Sequence, residues 1–99
     1  MIIETTPVYD KWFKKLKDWS AKDRIVERLI RVMNGNLGDA HSVGGGVSEL
    51  RINYGQGYRI YYTIRGQEII LLLSGAESKT GQQKDIARAQ QMVKELNKK

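Results

Sequence analysis

The chain contains no cysteine, so disulfides and thiolate metal sites are excluded and a reducing cytoplasm is compatible with it. One histidine without cysteine leaves little material for a zinc site. No cluster of carboxylates suggests a harder metal, and no Ser–His–Asp set is assembled. Neither a metal nor a cofactor is expected. No stretch approaches the ~20 apolar residues that span a bilayer. The longest apolar run, Ile69-Ile70-Leu71-Leu72-Leu73, is of strand length. Met1-Ile2-Ile3-Glu4 offers no basic region followed by an apolar core, so no secretory signal is expected.

What is present suits one domain over residues 1–99 with a modest core: 40% of the residues are hydrophobic and 28% are charged. The formal net charge is +6 and the isoelectric point is near 9.7. A positive surface attracts polyanions. Nucleic acid, the ribosome, an acidic protein and an anionic membrane are therefore candidate partners, set against a plain basic protein with none of them.

Residues 2–5 read as a first strand. Thr6 and Pro7 start a helix, with an N-cap hydroxyl followed by proline in the first turn, where its missing N–H costs nothing. Tyr9, Trp12, Phe13 and Leu16 recur at helical spacing and make one apolar face. Trp12 and Trp19 read as core or core-edge residues. Ser20 and Asp23 suggest a second N-cap. Ile25, Leu29, Ile30 and Met33 form the next apolar stripe, which Asn34-Gly35 stops. The two helices make a hairpin. Residues 35–46 hold five glycines and read as a mobile loop. Without a Gly-Lys-Ser/Thr ending or a strand feeding it, this is not a phosphate-binding loop. His41 within it reads as a surface residue.

From Val47 the hydrophobic period becomes two. Residues 47–52, 58–65 and 68–74 predict an antiparallel three-stranded meander, and about 81–96 predict a last helix. The expected architecture is α+β in the order β-α-α-β-β-β-α, an antiparallel sheet packed against a helical hairpin and a C-terminal helix. Alternation along the meander puts Leu50, Ile52, Ile60 and Tyr62 on one sheet face, which the helices must cover. The other face gathers Glu49, Arg51, Arg59 and Tyr61. Guanidinium groups bind phosphate oxygens in pairs and match the charge that grows on a phosphorane. A tyrosine can stack on a base or donate a proton. The same four residues also suit a solvated face with cross-strand ion pairs, Glu49 with Arg59 among them. The pattern leaves both open.

Several strings are familiar together: Gly38-Asp39, Gly46-Val47-Ser48-Glu49-Leu50-Arg51-Ile52, Tyr54-Gly55-x-Gly57-Tyr58-Arg59-Ile60-Tyr61-Tyr62, Leu71-Leu72-Leu73-x-Gly75 and Lys84-Asp85-Ile86-x-x-Ala89. In these segments, and in their order over nearly the whole chain, the protein resembles the phage-derived addiction-module killer proteins of the RelE/ParE superfamily, near HigB. The resemblance implies a RelE-like fold and a metal-independent endoribonuclease that cleaves messenger RNA on the ribosome, the toxin of a type II toxin–antitoxin pair. It implies catalytic roles for Arg59 at the scissile phosphate, for Arg51 beside it and for Lys79 after the last strand, with Glu49, Tyr61 and Lys84 contacting RNA. The expected products are a 2′,3′-cyclic phosphate and a 5′-hydroxyl. His41-Ser42 stands where relatives often carry Lys-Pro, and the catalytic histidine of some HigB-like toxins has no evident counterpart.

The implied partners are a cognate helix-turn-helix antitoxin, the ribosome and mRNA. Operator DNA is reached only through the antitoxin, no membrane is involved, and the location is the cytoplasm. HigB-like pairs often bar the toxin from the ribosome sterically, which would place the antitoxin on the first two helices and leave Arg51 and Arg59 accessible. Two rivals remain: a ParE-like, non-catalytic inhibitor of DNA gyrase on the same fold, and an inactive remnant that binds only antitoxin or RNA.

Overall fold

A computed structural model describes the backbone of residues 1–55, 57–76 and 79–98 and the side chains of 1–55, 57–74 and 82–98. Among the described residues, five strands and three helices follow one another: β1 (Ile2–Thr5), α1 (Pro7–Lys15), α2 (Trp19–Met33), β2 (Ala40–Gly44), β3 (Val47–Ile52), β4 (Tyr58–Arg65), β5 (Glu68–Ala76) and α3 (Lys79–Asn97). The strands form one sheet in the order β1-β5-β4-β3-β2. β1 runs parallel to β5 at one edge, and every other neighbouring pair is antiparallel. This is the expected α+β architecture, with meander, helical hairpin and C-terminal helix in place and one strand added.

Thr6 sets the first corner. Its hydroxyl accepts from the Tyr9 N–H at 3.2 Å, capping α1, and donates to the Leu72 carbonyl at 2.6 Å, pinning the helix start to β5. Each sheet face then has its own core. On one, α1 and α2 bring Tyr9, Ile25 and Val32 onto Leu50, Ile60 and Leu71. On the other, α3 brings Ala89 and Val93 onto Val47, Tyr61, Ile70 and Leu72. A bulge between Tyr61 and Tyr62 shifts the β4–β5 register, so the adjacent Leu72 and Leu73 both join the α3 side.

The glycine-rich segment departs most from expectation. Residues 40–44 are strand, not loop, and pair with β3. Gly45 and Gly46 make the two-residue turn, with φ of +64° and +78°. A type I′ hairpin needs positive φ at both central positions, which glycine adopts without penalty. No alternation announces β2, because Ala40 and Val43 are its only apolar residues besides Gly44.

α2 also differs in detail. Its N-cap is Asp18, whose carboxylate accepts from the Ala21 N–H at 3.1 Å, rather than Ser20. Asp18 lies three residues before Ala21, the spacing a side-chain cap requires. The buried stripe is Ala21, Ile25, Leu29 and Val32, while Ile30 and Met33 are exposed. Ala21, fully buried, is the small member of that stripe. Trp19, expected at the core edge, is 76% exposed. Trp12, Phe13 and Leu29 are half-buried against the hairpin-side core, and Ile60 is fully buried there.

Candidate active site and its basic surroundings

β3 and β4 present the central residues. Glu49 lies opposite Tyr61 and Arg51 opposite Arg59, all on the α3 face. The Glu49 carboxylate accepts from Arg51 Nε at 3.0 Å and from Arg59 Nη1 at 3.0 and 2.9 Å, one contact to each oxygen. Side-chain exposure is 3% at Glu49, 12% at Arg59 and 43% at Arg51. One buried carboxylate thus orients two guanidinium groups and leaves a positive excess. Burial alone would push the Glu49 carboxyl up. Hydrogen bonds from Arg59 and Arg51, with their charges, outweigh it and hold the group below its ordinary value. Glu49 is therefore ionised at neutral pH and is a weak proton acceptor.

α3 covers only part of this face. Gln90 ties it to the β2–β3 turn, donating to the carbonyls of Val43 and Gly44 at 3.3 and 3.2 Å. Tyr61 lies beneath the helix and is fully buried, not at the open surface where alternation puts it. Alternation gives a side chain's face but not what later packs on that face. Burial, then the nearby carboxylates of Glu49 and Asp85, push the Tyr61 hydroxyl up to about 12. In this arrangement it cannot stack on a base. Burial also raises the Asp85 carboxyl, against the opposing charge of Arg88. Lys84, next to Asp85, is exposed on α3. The side chain of Lys79, the third expected catalytic residue, lies outside the described residues.

His41 is an unforeseen neighbour. In β2 it pairs directly with Glu49, so it shares the face of Glu49, Arg51 and Arg59. Its Nε2 lies 2.7 Å from Asp39 Oδ1. Read as loop, this segment gives His41 no face. The signal Asp39-x-His41 becomes meaningful only once β2 is a strand.

Two basic hollows flank the cluster. A cleft of about 320 Å³ between α2 and the ends of β2 and β3 is lined by Arg24, Arg28, Arg31, Asp39 and Arg51 among others. Arg28 donates to the Leu37 carbonyl, Arg31 pairs with Glu27 at 3.1 Å, and Arg24 sits 5.6 Å from the Tyr54 ring centre. This arginine row is legible as i, i+4, i+7 on one helix, although the sequence pattern alone did not single it out. On the other side, Lys11, Trp12, Lys15 and Arg88 line a groove of about 540 Å³ that reaches Ser74. The Ser74 hydroxyl donates to the Arg59 carbonyl at 2.9 Å, so groove and cluster adjoin. Guanidinium and ammonium groups around an open face suit an extended polyanion better than a small apolar ligand. Among the described residues, no three His, Asp or Glu side chains group as metal ligands.

Over 94 residues the chain is 44% identical to an uncharacterized protein of Haemophilus influenzae, covering 95% of this chain and 94% of that protein. It belongs to that protein's family. No protein-family model matches it. Solved structures identify its fold. The isolated Escherichia coli RelE toxin superposes with a TM-score of 0.64 at 14% identity, covering 88% of this chain and 96% of that one. A chain of the intact E. coli RelBE toxin–antitoxin complex gives 0.62 at 12% identity, covering 79% and 98%. The chain has the RelE fold, as the sequence resemblance implies.

Proposed function

We propose that residues 1–99 form the toxin of a type II toxin–antitoxin pair, near HigB, acting in the cytoplasm as a metal-independent endoribonuclease on ribosome-bound mRNA. The observation that carries this reading is the Arg51–Glu49–Arg59 cluster on the open part of the α3 face. Two guanidinium groups fixed by one carboxylate are preorganised donors for the oxygens of a scissile phosphate. Lys79 is proposed as a further cation at the site and Lys84 as an RNA contact. The two basic hollows supply the positive surround that a phosphate-rich decoding site calls for.

The partner on this reading is a cognate helix-turn-helix antitoxin, through which operator DNA is reached. E. coli RelE, whose fold this chain shares, forms a complex with its antitoxin. Trp19, Val26, Ile30 and Met33 form an exposed apolar flank on α2. That flank supports docking of the antitoxin on the helical hairpin, with Arg51 and Arg59 left accessible. The deciding experiment is mRNA cleavage on translating ribosomes by the chain purified away from its neighbour gene's product. Cleavage with cyclic-phosphate ends supports the reading, and intact message at every codon sinks it. One observation favours a ParE-like gyrase inhibitor instead: Glu49 already engages both arginines, as a purely structural ion pair would. Inhibited supercoiling with intact message would select that alternative.

A further inference from the structure

Of Glu49, Arg51, Arg59 and Tyr61, the residues that the meander gathers, none suits the part of general base. Glu49 is buried and bound by two guanidinium groups, which weaken it as a proton acceptor. Arginines only donate hydrogen bonds. Tyr61 is sealed beneath α3.

His41 has what these lack. The β2–β3 register sets it directly opposite Glu49. Residues so paired stand about 4.5–5.5 Å apart at Cβ, so His41 springs from the sheet beside the residue that positions both arginines. Its side chain is 54% exposed, within reach of a strand lying on this face. The Asp39 carboxylate, 2.7 Å from Nε2, orients the ring. An ionised carboxylate only accepts, so the neutral ring donates from Nε2 and keeps its lone pair on Nδ1.

We propose that His41, oriented by Asp39, is the general base for RNA cleavage at the Arg51–Arg59 site. The inference rests on the nuclease reading above. Nδ1 takes the proton of the ribose 2′-hydroxyl. The 2′-oxygen bonds to phosphorus while the bond from phosphorus to the 5′-oxygen breaks. Arg51 and Arg59 bear the charge on the phosphorane oxygens. The departing 5′-oxygen takes a proton from water, and the imidazolium returns its proton to solvent. No bond to the protein forms and no electron changes hands. Asp39 is a positioning residue.

The test is single-turnover cleavage of mRNA on stalled translating ribosomes. His41→Ala should slow cleavage by roughly 10²- to 10⁴-fold, the usual worth of acid–base catalysis. Ribosome binding and the thermal midpoint should be unchanged. Free imidazole should restore part of the lost rate. Asp39→Asn should also slow cleavage but not respond to imidazole, because its ring is still in place. Message with sulfur as the leaving 5′ atom, which departs without a proton, should leave the His41→Ala defect standing. Wild-type speed from His41→Ala overturns the proposal. So does a slow variant that imidazole cannot help, which makes the ring structural. Full recovery with the sulfur leaving group overturns it too, because His41 would then be an acid. A wild-type protein that cleaves nothing is a separate failure, which ends the nuclease reading and this reaction with it.

Discussion

Glu49 combines burial, ionisation and two bound guanidinium groups, and its neighbours inherit their orientation from it. Its carboxyl titrates below the ordinary 4.5 in the folded protein. The stability this contributes is fully present above pH 4.5 and is lost as pH falls through the lower folded value. Glu49→Gln should remove that loss, so urea midpoints taken at neutral pH and below pH 4.5 should differ less in the variant than in wild type. A variant with the wild-type pH dependence would place the acid sensitivity elsewhere. On the proposed function, Arg59 carries the chemical half of the arrangement. Arg59→Ala should abolish growth arrest, at a cost of ~3–4 kcal/mol of transition-state stabilisation. Arg59→Lys, which keeps the charge beside Glu49 but not the planar fork, should restore it only partly. Full toxicity from stably expressed Arg59→Ala protein would end the assignment. Alternation alone makes Glu49, Arg51 and Arg59 legible, because all three lie in strands that announce themselves. Tyr61 and His41 escape it for opposite reasons: a distant helix covers the first, and an unannounced strand exposes the second.

The elements divide in the same way between what patterning reveals and what only packing decides. The hairpin helices, meander and last helix follow from apolar periodicity and cap residues. β2 does not, because its hairpin is specified by glycine backbone freedom rather than by side chains. At Gly45 a Cβ would meet Gln90 Cγ at 2.8 Å on a backbone of φ +64°. Gly45→Ala should therefore cost about 1–2 kcal/mol from the left-handed backbone alone, with more from displacing Gln90. Equilibrium unfolding measures it, and an unchanged midpoint would show that the turn rearranges freely. On α2 the two apolar flanks should separate cleanly. Ile25→Ala should lose ~2–5 kcal/mol, the ordinary cost of truncating a buried aliphatic residue. Ile30→Ala, at an exposed position, should barely move the midpoint. The arginine flank of the same helix predicts a salt effect. Neutralising Arg24 and Arg31 together should reduce the logarithmic salt slope of RNA binding by roughly 0.7 for every phosphate they would otherwise neutralise. An unchanged slope would remove the α2 cleft from the RNA path.

For the whole molecule, opposite demands fall on separate surfaces. Arginines line the β3–β4 cluster and the cleft beside it, while much of the apolar exposure lies on the outer flank of α2 and on Met1 and Ile2, with Lys14, Lys15, Lys17 and Lys22 around Trp19 at the start of that flank. The Met1 amine donates to the Met33 carbonyl at 2.9 Å, so the chain's first residue adjoins the end of that flank. An antitoxin seated there should protect α2 amides from hydrogen exchange and leave β3 and β4 unchanged. Protection confined to β3 and β4 would mean that it covers the arginines directly.

The parallel pairing of β1 with β5 also governs when this molecule can exist. Ile2 meets Glu68 and Thr5 meets Leu71, so the first strand waits for the last. A nascent chain holds its opening residues without their sheet partner until residues 68–71 have been made. Pairings so distant along the chain slow folding, because the intervening loop must close before they form. If the protein does attack translation, that interval shields its own synthesis and gives an antitoxin already present time to meet it as it folds.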